Sequence, residues 1–271
     1  MYGNILDLNR EIDWVRGWDI RLSPRFIYYT PYLDFEIETG NYILKVAKTI
    51  DELLDVFELR HENFLSGTKS EHPDSFDVDE YDHICDHIII IDKNSEKIIG
   101  TYRVISSHIS SNFYSQSEFN LDEFLDLKGS KLELGRACID VHHRNGRVID
   151  LLWKGIGRYC TITKTKYLFG CSSVKNIDDG VAWQMSEYFI ENNDSLKDIN
   201  ISVLEKFKTP NFPVIENSFN NRLIPSLLRS YMMAGAKVCL EPAKDKDFEC
   251  YDFLTVLNLD DLSRLFKKKY F

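Results

Sequence analysis

Long hydrophobic runs are missing from this 271-residue sequence, in which no window approaches the ~18 apolar residues of a membrane-spanning helix. Its first residues, MYGNILDLNREIDW, are neither basic nor followed by an apolar segment, so they do not have the pattern of an export signal. The six cysteines include no C-x-x-C pair, which is typical of reduced thiols. We therefore expect a cytoplasmic protein, and peripheral contact with the inner face of a membrane stays open.

Positive charge is also scarce, since 33 lysines and arginines stand against 43 aspartates and glutamates, for a net charge of −10. Non-specific nucleic-acid binding needs a cationic face, so no nucleic-acid partner is expected. The seven histidines show no H-E-x-x-H spacing, so no metal site is expected either. The absence of G-x-S-x-G gives no support to a serine hydrolase.

What is present is organised around residues 131–173, which have the pattern of a strand, a basic loop, a helix and a second strand. Residues 131–141 are rich in β-forming side chains, and from Val148 onwards apolar residues recur at helical spacing. Residues 167–174 are a short apolar run of strand length. A unit of this size predicts a βαβ crossover. Its loop, which contains Gly146, ends at a helix N-terminus, where free N–H groups favour a phosphate.

The flanking segments alternate between helices and strands and show no internal repeats. Further helices are predicted at residues 51–65 (with Thr49 or Asp51 as the cap), 117–127, 180–192, 224–234 and 259–269, and further strands at residues 42–47, 87–91, 97–106, 236–240 and 250–257. This order predicts an α/β fold with a mixed, mainly antiparallel central sheet flanked by helices. Residues 41–271 are expected to form a single domain. Residues 1–40, with Trp14, Trp18 and Phe26, are expected to be an extension that packs on it.

The motifs of the central unit resemble a known family. ELGRACID, RNGRVIDLLWKGIGRY and YLFGCSS are similar to the acyl-carrier-protein-dependent N-acyltransferases that make lyso-ornithine lipid, a hemolysin-like branch of the GNAT superfamily. The resemblance includes DEYDHICDHIIIID, GTYRVISS, FYSQSEFNL and DFECYDFLTVL, and it runs from about residue 42 to residue 265. N-acyl amino acid synthases are related, and acyl-homoserine-lactone synthases more distantly. The resemblance implies a GNAT-like sheet that is splayed near Glu133 to admit pantetheine.

Glu133 and Arg136 are the candidate catalytic residues. They are three apart in a predicted strand, so they would point to opposite faces unless the pleat is broken. Gly135 lies between them, and a glycine inside a strand often marks a bulge, which would free an N–H group to polarise a thioester carbonyl. The resemblance implies that both residues belong to the active site. The alternative is a Glu–Arg pair that only orients the strand.

The basic loop is the candidate site for the phosphopantetheine of the donor. RNGRVI lacks the second glycine of the acetyl-coenzyme A pattern, which favours a pantetheine carried on acyl-carrier protein, with acyl-coenzyme A as the alternative donor and no cofactor held by the protein itself. Acyl-carrier proteins are acidic, so a basic rim would steer their docking, although such a cluster is more usually a solvated face. The resemblance implies that the acyl-phosphopantetheine is bound by Gly135, Ala137, Cys138, Ile139, Arg144, Gly146, Arg147 and Val148.

The amino-acid acceptor offers an ammonium and a carboxylate, so its site needs both signs of charge. By resemblance, the acceptor-binding residues are expected to be Arg60, Phe64, Asp79, Asp82 and Arg103. Asp82 adjoins a predicted strand and is expected to bind the ammonium. Asp77 is expected to be exposed in the acidic loop and almost without effect. If Asp82 has no role, the next place for the acceptor is the strand around Asp252.

Together these features predict transfer of a long-chain fatty acyl group, with or without a 3-hydroxyl group, from acyl-carrier protein to the α-amine of an amino acid. Ornithine is the first choice of acceptor. Glu133 would remove a proton, directly or through a water. Two alternatives stay open, namely a signal synthase that acylates S-adenosylmethionine and a non-catalytic module that binds acyl groups or carriers. Cys138 and Cys171 are expected to be buried core thiols.

Overall fold

A computed structural model describes residues 26, 28–66, 76–210 and 219–271. Trp14 and Trp18 lie outside this part of the chain. Phe26 is inside it and is only 1% exposed, because its ring packs edge-on against Phe57 at a centroid distance of 5.6 Å. Phe26 therefore contacts α-helical residues of the domain, and the packing of the whole expected extension stays a prediction.

Within the described residues, nine strands form one sheet and two short strands form a second. The strands are β1 (Glu36–Thr39), β2 (Tyr42–Val46), β3 (Asp86–Asp92), β4 (Lys97–Ser106), β5 (Phe119–Asn120), β6 (Ser130–Ile139), β7 (Thr165–Lys175), β8 (Ser202–Val203), β9 (Lys237–Val238), β10 (Ala243–Asp245) and β11 (Cys250–Asn258). The large sheet has the order β1-β2-β3-β4-β6-β7-β11-β10, with β9 also paired to β11, and β5 pairs with β8. Only β6 and β7 pair in parallel, and every other pair of these strands is antiparallel.

The helices are α1 (Ile50–Phe64), α2 (Asp122–Asp126), α3 (Arg147–Thr163), α4 (Asp179–Glu191), α5 (Ser226–Ala234) and α6 (Arg264–Tyr270). Thr49 caps α1 as predicted. Its backbone N–H donates to the side-chain carboxylate of Glu52, which completes a capping box. α3 starts after Gly146, whose φ of +82° suits a residue without a side chain. Its buried face carries Val148, Leu152 and Ile156, as their spacing predicts.

One predicted helix differs in the structure, and one edge strand was not predicted. The helix expected at residues 117–127 is instead a 3₁₀ turn (Tyr114–Ser117), the strand β5 and the short helix α2. Phe119, Leu121 and Phe124 are all buried, and their spacing of two and three residues does not follow one helical face. β1 was not predicted. It pairs with β2, so part of the expected N-terminal extension is an edge of the sheet.

The gap between β6 and β7 is the feature that positions the site. Their parallel pairing ends at Glu133, which lies opposite Phe169. Beyond this point β6 stays with β4, where Cys138 lies opposite Thr101, whereas β7 stays with β11. The two strands therefore diverge in the middle of the sheet, as the sequence resemblance implied.

A bulge in β6 lies beside this gap. Arg103 is paired with Gly135 and Thr101 with Cys138, so Arg136 and Ala137 together lie opposite the single residue between them on β4. Arg136 has a φ of +49°, a left-handed conformation that is uncommon for an arginine. The predicted bulge is confirmed, and the left-handed residue is Arg136 rather than its glycine neighbour.

The described helices include none that combines the length and the apolar character needed to cross a membrane. The longest of them, α3, has 17 residues and packs one face onto the sheet.

The two glycines that border the gap are expected to respond differently to substitution. A Cβ on Gly170 would lie 2.2 Å from the carbonyl oxygen of Leu134, so Gly170→Ala must push β6 and β7 apart and should cost about 1–3 kcal/mol of unfolding free energy. A Cβ on Gly135 would lie 3.7 Å from the Arg103 guanidinium, an ordinary contact, so Gly135→Ala is the matched control. Urea unfolding of both variants measures the difference, and equal stabilities would contradict the close approach.

Candidate active site

A cavity of about 410 Å³ occupies the gap between β6 and β7 and is lined by side chains from both faces of the sheet. Alternate residues of a strand point to opposite faces, which sorts the lining into two halves. The half on the α3 face is lined by Tyr102, Leu134, Trp153, Leu168, Leu228, Tyr231 and Leu257. The half on the other face is lined by Arg103, Tyr114, Glu133, Arg136, Phe169, Cys171, Ser173 and Asp252. One half is apolar and the other is charged.

The apolar half is closed by aromatic side chains. Trp153 of α3 meets Tyr231 of α5 edge-on, with their ring centroids 5.6 Å apart. The hydroxyl groups of Tyr102 and Tyr231 are hydrogen-bonded to each other, and burial raises the pKa of both, so they stay uncharged. This half can receive an alkyl chain without burying a charge.

Glu133 lies deep in the polar half and is only 3% exposed. Its two carboxylate oxygens accept hydrogen bonds from the backbone N–H groups of Tyr114 and Ser115, each at 2.7 Å. Burial raises the pKa of Glu133, and the bonds from Ser115 and Tyr114 and the charge of Arg103 partly offset this rise. Glu133 therefore anchors the 3₁₀ turn and also faces the cavity.

Beside it, three arginines and three aspartates form a compact ion-pair network. Its contacts are Arg60 to Asp77 at 2.8 Å and to Asp82 at 2.7 and 3.1 Å, Arg103 to Asp79 at 2.5 Å, and Arg136 to Asp77 at 3.1 Å and to Asp79 at 3.0 Å. The network joins α1 and the loop before β3 to the strands β4 and β6. Its charges cancel, three against three.

This network changes the roles expected for two aspartates. Asp82 is fully buried, and both its carboxylate oxygens bind Arg60, so it does not line the cavity and is not placed to meet an acceptor. Asp77 is 4% exposed, so the expectation that it is exposed is wrong. No local pattern indicates that residues of the acidic loop fold over two buried arginines.

The other acceptor-binding candidates are divided between the network and the cavity. Phe64 and Arg103 line the cavity. Arg60 is fully buried behind it, and Asp79 is half-buried and bridges Arg103 to Arg136. Arg60 therefore acts on the cavity only through its partners.

The pantetheine-binding candidates are likewise divided. Gly135 and Ala137 line the cavity, as does the catalytic candidate Arg136. The thiol of Cys138 donates to the carbonyl oxygen of Leu59, and its side chain is buried, as expected for a core thiol. Val148 is fully buried, so its side chain cannot contact a ligand.

The basic loop itself is exposed at the N-terminus of α3. Arg144 donates to the carbonyl oxygen of Ile139 and to the side chain of Asn63, which lines the cavity. The Arg147 guanidinium lies over the ring of Tyr42 at 5.2 Å. The first N–H groups of a helix have no partner within the helix, and here the N–H of Arg147 donates to the side-chain oxygen of Asn145 at 3.1 Å.

A second acidic group is formed by Glu118, which sequence reasoning did not select, and Asp252, which it gave only as the next place for the acceptor if Asp82 has no role. One carboxylate oxygen of each, together with the Cys171 sulfur, lie within 4.8 Å of one another. Burial, followed by the charge of Asp252, raises the pKa of Glu118 to about 8, and burial together with the charge of Asp245 raises the pKa of Asp252 to about 6.

Cys171 is half-buried and lines the cavity, so it is not only the core thiol that was expected. Its sulfur lies 3.4 Å from the Ser115 hydroxyl and 3.7 Å from a carboxylate oxygen of Glu118. Burial raises the pKa of this thiol, followed by the charges of Glu118 and Asp252. A metal binds the thiolate, so a thiol that is held protonated does not favour a metal here.

Asp77→Asn is expected to destabilise the protein by ~3 kcal/mol, because it removes one charge from a buried network and leaves two arginines under-compensated. Its ion partners hold the pKa of Asp77 below the ordinary 3.8 even against the opposing effect of burial. The folded-state pKa is the lower one, so the difference from wild type should persist from neutral pH to about pH 4 and vanish only in stronger acid. Urea unfolding at several pH values measures this.

Glu62→Gln, on the exposed face of α1, is the matched control and should change the unfolding free energy by less than ~0.5 kcal/mol. An Asp77→Asn variant that is as stable as this control would contradict the network's role.

The fold has solved counterparts. An N-acyl amino acid synthase from uncultured soil microbes superposes with a TM-score of 0.50, covering 85% of this chain and 99% of the synthase at 9% identity. At this identity the match shows the fold alone. The sheet, with its one parallel pair and its central gap, is the GNAT fold, as the sequence predicts.

Similarity in sequence identifies the family as well as the fold. Residues 59–154 match the acetyltransferase (GNAT) domain family. The L-ornithine N(alpha)-acyltransferase of Rhizobium meliloti (strain 1021) is 30% identical over 211 residues, which cover 72% of this chain and 70% of that enzyme. The L-ornithine N(alpha)-acyltransferase of Agrobacterium fabrum is 26% identical over 245 residues, or 83% of each chain. The chain therefore belongs to the L-ornithine N(alpha)-acyltransferase family of the GNAT superfamily.

Proposed function

We propose that this protein transfers a long-chain fatty acyl group from the phosphopantetheine of acyl-carrier protein to the α-amine of ornithine. The observation that carries the proposal is the cavity between β6 and β7, which is apolar on the α3 face and charged on the other. An acyl donor and an amino acid could enter from opposite faces and meet at the gap. The names of the family's relatives support an amino-acid acceptor.

The apolar half is assigned to the acyl chain. Trp153, Tyr231 and Leu257 offer it a surface without charge. Each methylene group that leaves water for such a surface gains ~0.8 kcal/mol, so chain length should contribute strongly to donor binding.

The bulge is assigned to the thioester. Arg136 and Ala137 leave the regular pairing with β4, so a backbone N–H here can donate to the developing oxyanion. The positive φ of Arg136 holds this geometry before the donor arrives. No covalent enzyme intermediate is needed, because the thioester is already an activated acyl group.

The polar half is assigned to the amino acid. Arg103 and Arg136 face the cavity and can bind the α-carboxylate, while Arg60 positions them through the shared aspartates. The α-ammonium of a free amino acid is protonated at neutral pH, so a base is needed to make it a nucleophile. Glu133 takes that proton, directly or through a water. The amine nitrogen then bonds to the acyl carbon, the carbon–sulfur bond breaks, and the pantetheine thiolate takes up the second proton, which the attacking nitrogen loses as it becomes an amide.

The rim of the basic loop is assigned to the donor. Arg144 and Arg147 are exposed at the N-terminus of α3, where backbone N–H groups and the helix dipole favour the phosphate of phosphopantetheine. Exposed arginines would also attract an acidic carrier protein. Acyl-coenzyme A carries the same pantetheine group and remains the alternative donor.

The experiment that tests this function combines donors and acceptors. Purified protein is incubated with long-chain acyl-carrier protein or the matching acyl-coenzyme A and a panel of amino acids, and products are identified by mass spectrometry. We expect an N-acyl amino acid, made best from ornithine and from the carrier-bound donor. No product with any acceptor would overturn the proposal. Equal rates with both donors would overturn only the docking of a carrier protein.

Glu133→Gln tests the base. We expect kcat to fall by ~10²–10⁴, the usual size for a general base. A base acts when ionised, so wild-type kcat/KM should fall as pH drops through the Glu133 pKa, which burial raises above the ordinary 4.5. Turnover within about threefold of wild type would show that another group accepts the proton.

The fold of this variant needs its own measurement. The Gln amide would turn an NH₂ group toward one of the two backbone N–H donors, and the loss of that bond costs about 1–3 kcal/mol. Thermal unfolding and the kcat of the folded fraction separate this structural cost from the loss of the base.

A further inference from the structure

We propose that Asp252, with Glu118 behind it, binds the side-chain ammonium of a diamino-acid acceptor and thereby selects cationic amino acids over neutral ones. The inference rests on the proposed acyl transfer to an amino acid and adds the residues that read the acceptor's side chain. Asp252 lines the polar half of the cavity, and Glu118 lies next to two other residues that line it, Tyr114 and Cys171.

The spacing of the two carboxylates suits one ammonium. An oxygen of Glu118 and an oxygen of Asp252 are no more than 4.8 Å apart. One ammonium can donate to both oxygens at ~2.8 Å, because the angle between two of its N–H bonds is wide enough to span a separation of this size. A side chain that enters from the cavity past Cys171 would bring its nitrogen to this point.

One oxygen of the pair has no hydrogen-bond partner. Glu118 is 1% exposed, and its Oε1 accepts no bond from any residue that the structure describes. Buried acceptors are normally satisfied, and an empty one costs free energy or marks a place for a ligand. The Asp252 oxygens, by contrast, accept from the Ser173 hydroxyl at 2.6 Å and from the Cys250 thiol at 3.3 Å.

The pair also lacks a countercharge at contact distance. Among the described residues, no lysine, arginine or histidine forms an ion pair with Glu118, Asp252 or the nearby Asp245. Arg136 is near enough to lower the pKa of Asp252, but its guanidinium bonds go to the aspartates of the ion-pair network. In that network three positive charges already balance three negative ones. The negative charge of the polar half outside this network is therefore carried by Glu133, Asp245, Glu118 and Asp252, and the last two are close enough to share one cation.

A cationic group of the acceptor would offset the unfavourable free energy of burying the Glu118 and Asp252 carboxylates side by side. Two buried carboxylates repel each other, so one holds a proton while the site is empty. An arriving ammonium stabilises both ionised forms and displaces that proton. Binding of the cation should therefore weaken as pH falls below about 6, where Asp252 also becomes protonated. Near pH 7 binding should release a proton, because Glu118, with its pKa of about 8, still carries one. The other titratable groups that face the pair are Tyr114, Cys171, Cys250 and Asp245, and burial raises the pKa of the first three.

The test compares ornithine with norvaline, which has the same chain length and no side-chain amine. In wild type we expect kcat/KM for ornithine to exceed that for norvaline at least a hundredfold. Asp252→Asn and Glu118→Gln should each reduce this ratio tenfold or more, mainly through the KM for ornithine. Glu123→Gln removes an exposed glutamate on α2, outside the cavity, and should leave the ratio unchanged. A variant that is merely less stable would lose both activities and keep the ratio.

Calorimetry supplies a readout that does not depend on turnover. Ornithine and norvaline are titrated into wild-type protein at pH 7 in two buffers with different heats of ionisation. Ornithine should release about one proton more than norvaline, and this excess should be absent in Glu118→Gln.

Three results would overturn the inference: a wild type that does not discriminate between the two amino acids, a ratio that stays within twofold in both variants, or an ornithine preference that chelators abolish, since a metal would then occupy the pair. If no amino acid is acylated at all, the proposed function fails, and the calorimetry still decides whether Glu118 and Asp252 bind the side-chain cation.

Discussion

The divergence of β6 and β7 is the constraint on which the rest of the site depends. A parallel pair in a sheet of otherwise antiparallel strands must lose its partner bonds where the strands part, and here it does so after Glu133. On one edge of the gap β6 is held by β4, and on the other β7 is held by β11 along its length. The cavity thus opens through the sheet without an unsupported strand, and both faces can contribute side chains.

Charge is distributed unevenly along the polar half of this cavity. Arg60 and its partners form a buried network whose charges cancel, so it stabilises the loop before β3 against the sheet. The network as a whole carries no net charge, although Arg103 and Arg136 also face the cavity. Glu118 and Asp252 are carboxylates of the same depth without such partners, and their pKa values are displaced upward rather than downward. Carboxylates that are equally buried therefore have their pKa shifted in opposite directions, depending on whether an arginine contacts them.

Much of the fold could be predicted from the sequence, because its signals are local. The βαβ unit follows from helical spacing after Val148, and the cap of α1 follows from Thr49 and Glu52. The bulge beside Gly135 was also recognisable. The role of Asp77 was not, since its burial comes from contact with Arg60 and Arg136, 17 and 59 residues away. The role of Glu118 could not be predicted for the same reason, because its neighbour Asp252 belongs to the last strand in the sequence.

The 3₁₀ turn at Tyr114–Ser117 links the two chemistries of the polar half. Glu133 holds the N-terminal end of the turn, and Glu118 follows its last residue directly. The Tyr114 ring lies under the guanidinium groups of Arg103 and Arg136, at 5.6 and 5.1 Å. A shift of the turn would therefore displace the residues assigned to the acceptor's carboxylate and those assigned to its side chain together. Glu133, the residue assigned to proton transfer, thus also fixes the relative positions of the two ends of the acceptor site.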